Sequence, residues 1–151
     1  RGDLLDITNE VWQAAMAVNV HAPFLVCKAV IPTMVQHLWG RIINYSGSTA
    51  LRGASGTGTL KMTCEGLTRA ISREYGRYNV TANCIRPGRI DVERTPGQET
   101  HPSSDHNVAR IPVPRTGTLK ECAALVVFLA SEETGYITGQ SYDINGGSHF
   151  A

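Results

Sequence analysis

Apolar positions along this chain follow two rhythms, one helical and one extended. Val11, Ala14, Ala15, Val18, Ala22, Leu25, Val26, Ala29 and Val30 recur three and four apart, which predicts a helix. Thr8 can cap it, and Glu10 suits the dipole of its first turn. Pro23 and Pro32 interrupt the pattern, so the helix is expected to bend, and Gly40 is expected to end it. Its apolar residues cover more than one face, which predicts packing on a sheet and on a second partner. Ile42, Ile43 and Tyr45 then read as a short strand, with Tyr45 on the face opposite Asn44 and Ser46 and packed in the core.

The pattern alternates from there. Leu60, Cys64, Leu67, Ile71 and Tyr75 form one stripe of a second helix, closed by Gly76. Val80 to Ile85 reads as a strand ended by Arg86-Pro87-Gly88. An irregular stretch over residues 91–117 follows, rich in Pro, Ser and Gly; a loop of that length is expected to work as a lid. Thr118 and Glu121 make a capping box, and Cys122, Leu125, Val126 and Leu129 line the helix it opens. Gly139 to Ile144 is a last strand, with Gly146-Gly147 as a turn. The order α-β-α-β-α-β predicts an α/β chain, a parallel sheet with helices on its faces, forming one domain over residues 1–151.

Composition narrows the classes. A chain of 151 residues fits one domain that buries about 70% of its unfolded surface. Lys plus Arg number 14 against 13 Asp plus Glu, so charge makes no case for nucleic acid or an anionic membrane. Uninterrupted apolar runs are far short of a membrane span, and RGDLLDITNE has no signal-peptide core. Cys27, Cys64, Cys84 and Cys122 are irregularly spaced with no C-x-x-C, and read as reduced core residues of a cytoplasmic protein. His21, His37, His101, His106 and His149 lack ligand spacing, so no metal is expected.

Several motifs occur in a meaningful order. They are Asn19-Val20 with Phe24-Leu25, Gly40-Arg41-Ile42-Ile43-Asn44, Asn83-Cys84-Ile85-Arg86-Pro87-Gly88, Ile111-Pro112 with Arg115 and Gly117, Phe128-Leu129-Ala130-Ser131 with Ile137-Thr138-Gly139-Gln140, and Asp143-Ile144-Asn145-Gly146-Gly147. Together they resemble the C-terminal half of the short-chain dehydrogenase/reductase family. The resemblance implies the second half of a Rossmann-like, doubly wound parallel sheet. The family's T-G-x-x-x-G-x-G turn, which holds the cofactor pyrophosphate, has no counterpart in these residues. A truncated gene, a proteolysed protein and half of a split protein all fit that pattern.

The resemblance also implies chemistry. The family uses a tyrosine as general acid/base, a lysine four residues on to lower its pKa and bind the nicotinamide ribose, a serine on the substrate oxygen and an asparagine in a proton relay. Lys61 matches the lysine and Asn19 the relay asparagine, although Asn19 also fits a polar residue bonded within a kinked helix. The serine position falls on Gly47, flanked by Ser46 and Ser48; Ser48 is the choice, against a simple turn role. Thr57 stands in the tyrosine position, where an aliphatic hydroxyl is too weak an acid; capping a turn is its plainer reading. Pro87, Gly88 and Ile90 match the turn that touches the nicotinamide carboxamide, and Val92 replaces a usual threonine. Gly53-Ala54-Ser55-Gly56-Thr57-Gly58 has phosphate-loop spacing but lies too far from its strand, so a shortened flexible loop is the better reading.

Two functions are therefore expected to compete. One is an oxidoreductase using NAD or NADP on a small carbonyl or secondary alcohol, impaired in this chain alone by the missing turn and tyrosine. The other is a non-catalytic dimerisation or partner-binding module derived from such an enzyme. The two-sided apolar helix predicts a homo-oligomer in either case.

Overall fold

Thr8 opens the long helix: its hydroxyl accepts the Val11 N–H at 3.3 Å, and α1 (Asn9–Met16) follows. The computed structural model describes residues 4–48, 56–92 and 108–150. The helix does not break at its first proline. It widens into a π-turn over Ala17–His21 and resumes as α2 (Ala22–Gln36). Pro23 has no N–H, so the Asn19 carbonyl loses its partner four residues on. That carbonyl accepts instead from Thr63 Oγ1 at 3.2 Å and Cys64 Sγ at 3.6 Å. Pro32 lies inside α2 without ending it.

Gly40 is not the terminator. Leu38 takes a left-handed φ of 51°, with Leu38 N–H to Val35 O at 3.2 Å and Trp39 N–H to Met34 O at 3.1 Å. This is a Schellman closure made with leucine. Gly40 begins β1 (Gly40–Tyr45), where a Cβ would lie 2.6 Å from Met34 Sδ. Uninterrupted runs also understate this helix. Asn9–Gln36 has a mean hydropathy of 1.6 over its best window, enough by length and composition to cross a bilayer. Its Cys27 and Ile31 instead join a core with Ile42, Ile71, Val80 and Ala82, so it packs as a helix of this fold.

A 3-10 turn over Thr57–Lys61 leads into α3 (Met62–Tyr75). Gly76 closes α3 as its C-cap, as expected, and the left-handed residue is Asn79, with φ of 58°, after a second 3-10 turn. β2 (Val80–Pro87) runs two residues beyond the predicted strand because pairing continues on its far side, Arg86 against Asp143 and Pro87 against Ile144. β3 (Ser141–Ile144) starts later than predicted: Gly139, at φ of 75°, turns the chain to donate to Ala82 O at 2.7 Å. The capping box forms in full at α4 (Leu119–Ala130).

The three described strands pair in the order β1-β2-β3, all parallel, with Gly40 against Val80 and Cys84 against Ser141 opening the two registers. Side chains alternate across each strand. Asn44 and Ser46 of β1 reach α3 on one face. Arg41, of opposite parity, reaches the Ser131 carbonyl at the end of α4 on the other, at 3.1 Å. Helices thus lie on both faces of a parallel sheet, the Rossmann-like α/β arrangement expected.

Tyr45 faces away from Asn44 and Ser46 as expected, but it is 51% exposed rather than packed in the core. It sits on an outer strand of the three described, on a face that no described element covers there. Residues 93–107 of the expected lid, and Gly53, Ala54 and Ser55 of the glycine loop, lie outside the described residues. At the base of the lid segment Ile90 pairs with Gly117.

Candidate active site

Glu65 on α3 meets Ser46, and Thr68, one turn later, contacts Asn44, earlier on β1. The helix therefore runs antiparallel to the strand. Lys61, a turn before Glu65, lies past the carboxyl end of β1, where parallel α/β sheets carry their chemistry. The turn bearing Thr57 and Lys61 packs against the π-turn bearing Asn19. Pro87 and Gly88 close β2 at the same end of the sheet, with Gly88 N–H donating to Ile144 O at 2.8 Å. A Cβ on Gly88 would approach Asn145 Cα to 2.8 Å, so the loop after β3 requires glycine there.

The individual side chains differ in availability. Lys61 is half-buried. Burial pushes the Cys64 thiol up, and the Lys61 ammonium opposes that rise. Asn19 turns its side chain back into its own helix, Nδ2 donating to Ala15 O at 2.9 Å. Ser46 is buried and donates to Glu65 Oε1 at 3.1 Å, which leaves Ser48, also buried, as the loop serine on offer. Thr57 does not cap its turn. The position before it, Gly56, is the cap and no side chain bonds there, while Thr59 Oγ1 takes the Gly56 carbonyl at 2.6 Å.

The 3-10 winding changes the expected alignment of positions 57 and 61. Four residues in an α-helix bring side chains onto one face. At three residues per turn, residue i aligns with i+3 and residue i+4 stands about 120° away. Thr57 thus aligns with Leu60, which is buried, and not with Lys61.

Sequence reasoning missed a buried ionic cluster directly beneath this site. Glu65 is 1% exposed. Its Oε2 accepts from Ser141 Oγ at 3.2 Å and lies 3.5 Å from Arg86 Nη1 and 3.6 Å from Arg69 Nη2. Arg86 also donates to both Asp143 oxygens, at 3.1 and 2.7 Å. A signal was available in β1. Period two puts Asn44 and Ser46 on the same face as buried Ile42, so the opposing helix must supply polar partners. Glu65 and Thr68, three apart, are those partners.

For a nicotinamide cofactor, the donor set fits one end of the ligand. A half-buried ammonium and a tight Pro-Gly turn stand at the carboxyl end of the sheet. No glycine-rich strand–turn–helix that could cradle a pyrophosphate occurs among the described residues, and no group of His, Cys, Asp and Glu among them could hold a metal.

A parallel α/β sheet with a lysine on the turn past the carboxyl end of β1 is shared by many α/β folds, and relatives make the class specific. The family model described as enoyl-(acyl carrier protein) reductase matches residues 1–149. The 3-oxoacyl-[acyl-carrier-protein] reductase of Chlamydia muridarum is 35% identical over 147 residues, covering 95% of this chain and 59% of the relative. The acetoacetyl-CoA reductase of Cupriavidus necator is 36% identical over 148 residues, covering 95% of this chain and 59% of the relative. The solved structure of YwfH, an NADPH-dependent reductase involved in bacilysin biosynthesis, superposes with a TM-score of 0.87 at 28% identity, over 99% of this chain and 62% of that one. The chain belongs to the short-chain dehydrogenase/reductase family and corresponds to its C-terminal half. It spans about three fifths of the length of the curated relatives it matches, 59% in each of these two.

Proposed function

We propose that this chain supplies the substrate and nicotinamide side of an NAD(P)-dependent reductase that interconverts a carbonyl and a secondary alcohol. The observation that carries this reading is the placement of Lys61, half-buried past the carboxyl end of β1, on a turn packed against the segment bearing Asn19. The cofactor, when bound, supplies the hydride. Lys61 would hold its ribose, and Pro87, Gly88 and Ile90 its carboxamide end. Ser48 would orient the substrate oxygen. Asn19 would join a proton relay by releasing Ala15. The missing element is the acid. A phenol of pKa about 10 can be tuned downward to donate a proton, and the Thr57 hydroxyl cannot.

We therefore propose low turnover with Thr57 in place. The names of the curated relatives make a 3-oxoacyl thioester the first substrate to test. The exposed Val18, Phe24, Leu25, Val26 and Val30 on the long helix support a homo-oligomer. Four buried cysteines, free of disulfides, suit a reducing, cytoplasmic setting. Thr57 itself favours a second reading, a non-catalytic module that keeps the fold for partner binding.

The test joins the N-terminal half of the Chlamydia reductase ahead of Arg1 and follows NADPH absorbance with acetoacetyl-CoA and a ketone panel. Thr57→Tyr is expected to raise turnover on the order of tenfold or more, with the 57–61 turn rewinding toward α geometry to bring the phenol over Lys61. Equal turnover of the two proteins means that another group is the acid and the site assignment is wrong. NADPH binding without turnover in either supports the non-catalytic module.

A further inference from the structure

We propose that Glu65 is the positioning residue of this site: one buried carboxylate in the first turn of α3 sets where the preceding turn presents Lys61. The proposal rests on the reading of Lys61 as the cofactor-side lysine. Its basis is that Glu65 is tied to β2, to β3 and to the residue that directly follows β1. Ser46 follows β1 and donates to Oε1; Arg86 belongs to β2 and pairs with Oε2; Ser141 opens β3 and donates to Oε2. A second polar tie sits one turn deeper, where Asn44 Nδ2 donates to Thr68 Oγ1 at 2.9 Å and Thr68 Oγ1 donates to the Cys64 carbonyl at 2.7 Å. Two ties on one helix face, to Asn44 of β1 and to Ser46 just past its end, fix both the rotation and the height of α3 over the sheet.

The same cluster holds the other half of the site. Arg86 is the residue before Pro87-Gly88, and its bidentate grip on Asp143 secures β3 beside that turn. One connected set of charges thus spans the Lys61 helix and the Pro87-Gly88 turn. A buried carboxylate is costly unless it is paired, and an apolar side chain of similar size serves cohesion equally well. What the carboxylate adds is direction: fixed acceptor positions that an apolar contact lacks. Burial on the α3 face lets a single residue impose this on β2, β3 and the exit of β1, four residues from Lys61.

The sequence offers a direct readout, because Lys28, Lys61 and Lys120 are its three lysines. Reductive methylation with 13C-formaldehyde gives each a separate NMR signal, and a held side chain shows non-equivalent or broadened methyls. In the folded chain, Glu65→Leu is expected to abolish the wild-type signature at Lys61 while Lys28 and Lys120 keep theirs. Glu65→Gln, which retains the shape and one acceptor oxygen, is expected to preserve the Lys61 line shape. Should Glu65→Leu fail to fold, the Ser46→Ala/Ser141→Ala double variant removes two ties and keeps the charge, and the same loss at Lys61 is expected. An unchanged Lys61 signal in a folded Glu65→Leu protein, or in the serine double variant, overturns the proposal. So do equal changes at all three lysines, which mark general loosening. None of these measurements needs cofactor. Absent NADPH turnover in the joined enzyme therefore counts against the reductase reading alone, and an unmoved Lys61 signal against the positioning role alone.

Discussion

Replacing Arg86 with methionine isolates the energetics of the buried cluster. The Arg86 side chain is 7% exposed and neutralises two carboxylates, Glu65 at 3.5 Å and Asp143 at 2.7 Å. Methionine leaves Glu65 inside the protein with two serine hydroxyls and the exposed Arg69, whose guanidinium lies 3.6 Å away. Asp143 is partly wetted and can rehydrate. Breaking a buried pair from one side costs about 3–5 kcal/mol. Against a typical stability of about 5–15 kcal/mol, that lowers the melting temperature by roughly 6–20 °C for a chain of this size. Urea unfolding followed by circular dichroism should show a lower midpoint at unchanged slope. The double variant Glu65→Leu/Arg86→Met removes the stranded charge and should recover at least about 2 kcal/mol relative to Arg86→Met. A loss below about 1 kcal/mol for Arg86→Met, or strict additivity in the double variant, refutes the view that Glu65 depends on Arg86 for its charge.

Two further outcomes follow from titration behaviour. Hydrogen bonds from Arg115, then from the Thr118 backbone and hydroxyl, hold the Glu121 carboxyl down to about 2, against an ordinary 4.5. The folded value lies below the unfolded one, so its contribution is complete above about 4.5 and is lost as the pH falls toward about 2. Melting curves across that window should fall less steeply for Glu121→Gln than for wild type, and equal slopes would show that the α4 cap plays no part in acid unfolding. Burial pushes the Cys84 thiol up to about 12 and raises Cys27, Cys64 and Cys122. Iodoacetamide near pH 8 should therefore label the folded chain far more slowly than the urea-unfolded one; equal rates would contradict the burial of these thiols.

Sequence reading recovered the elements whose signals are local. Thr8 and the Thr118–Glu121 box cap helices where composition predicts, since a cap needs only its own few residues. Chain reversals were less legible. Gly76 caps α3 as read, but Leu38 rather than Gly40 closes the long helix in a left-handed conformation, and Asn79 takes the left-handed position after α3. In the long helix, the prolines signal disruption but not its form, and the π-turn becomes explicable only once Thr63 and Cys64 are seen on the Asn19 carbonyl. Motif spacing proposed Asn19, Lys61 and the Thr57 departure and left the serine between Ser46 and Ser48, but the 3-10 winding that separates Thr57 from Lys61 was not visible in it. Glu65, Arg86 and Asp143 are far apart in sequence, and charged residues on a helix or at a strand end ordinarily face water. The parity of Asn44 and Ser46 was the one clue that they do not.

The central strand has a consequence for how the chain acquires its shape. Ala82 and Asn83 take hydrogen-bond partners from Ile137, Thr138, Gly139 and Gln140, and Arg86 takes its own from Asp143. During synthesis, the middle of the sheet leaves the ribosome more than fifty residues before these partners exist. Until residues 137–144 emerge, β2 carries one polar, unfinished edge beside its apolar faces. Such distant pairings are slow to close, since the loop entropy comes due before the contacts that reward it. The nascent chain therefore spends a long interval as a substrate for holding chaperones and for edge-to-edge misassociation. Its yield in a cell depends on how quickly that final strand arrives as much as on the strength of the finished sheet.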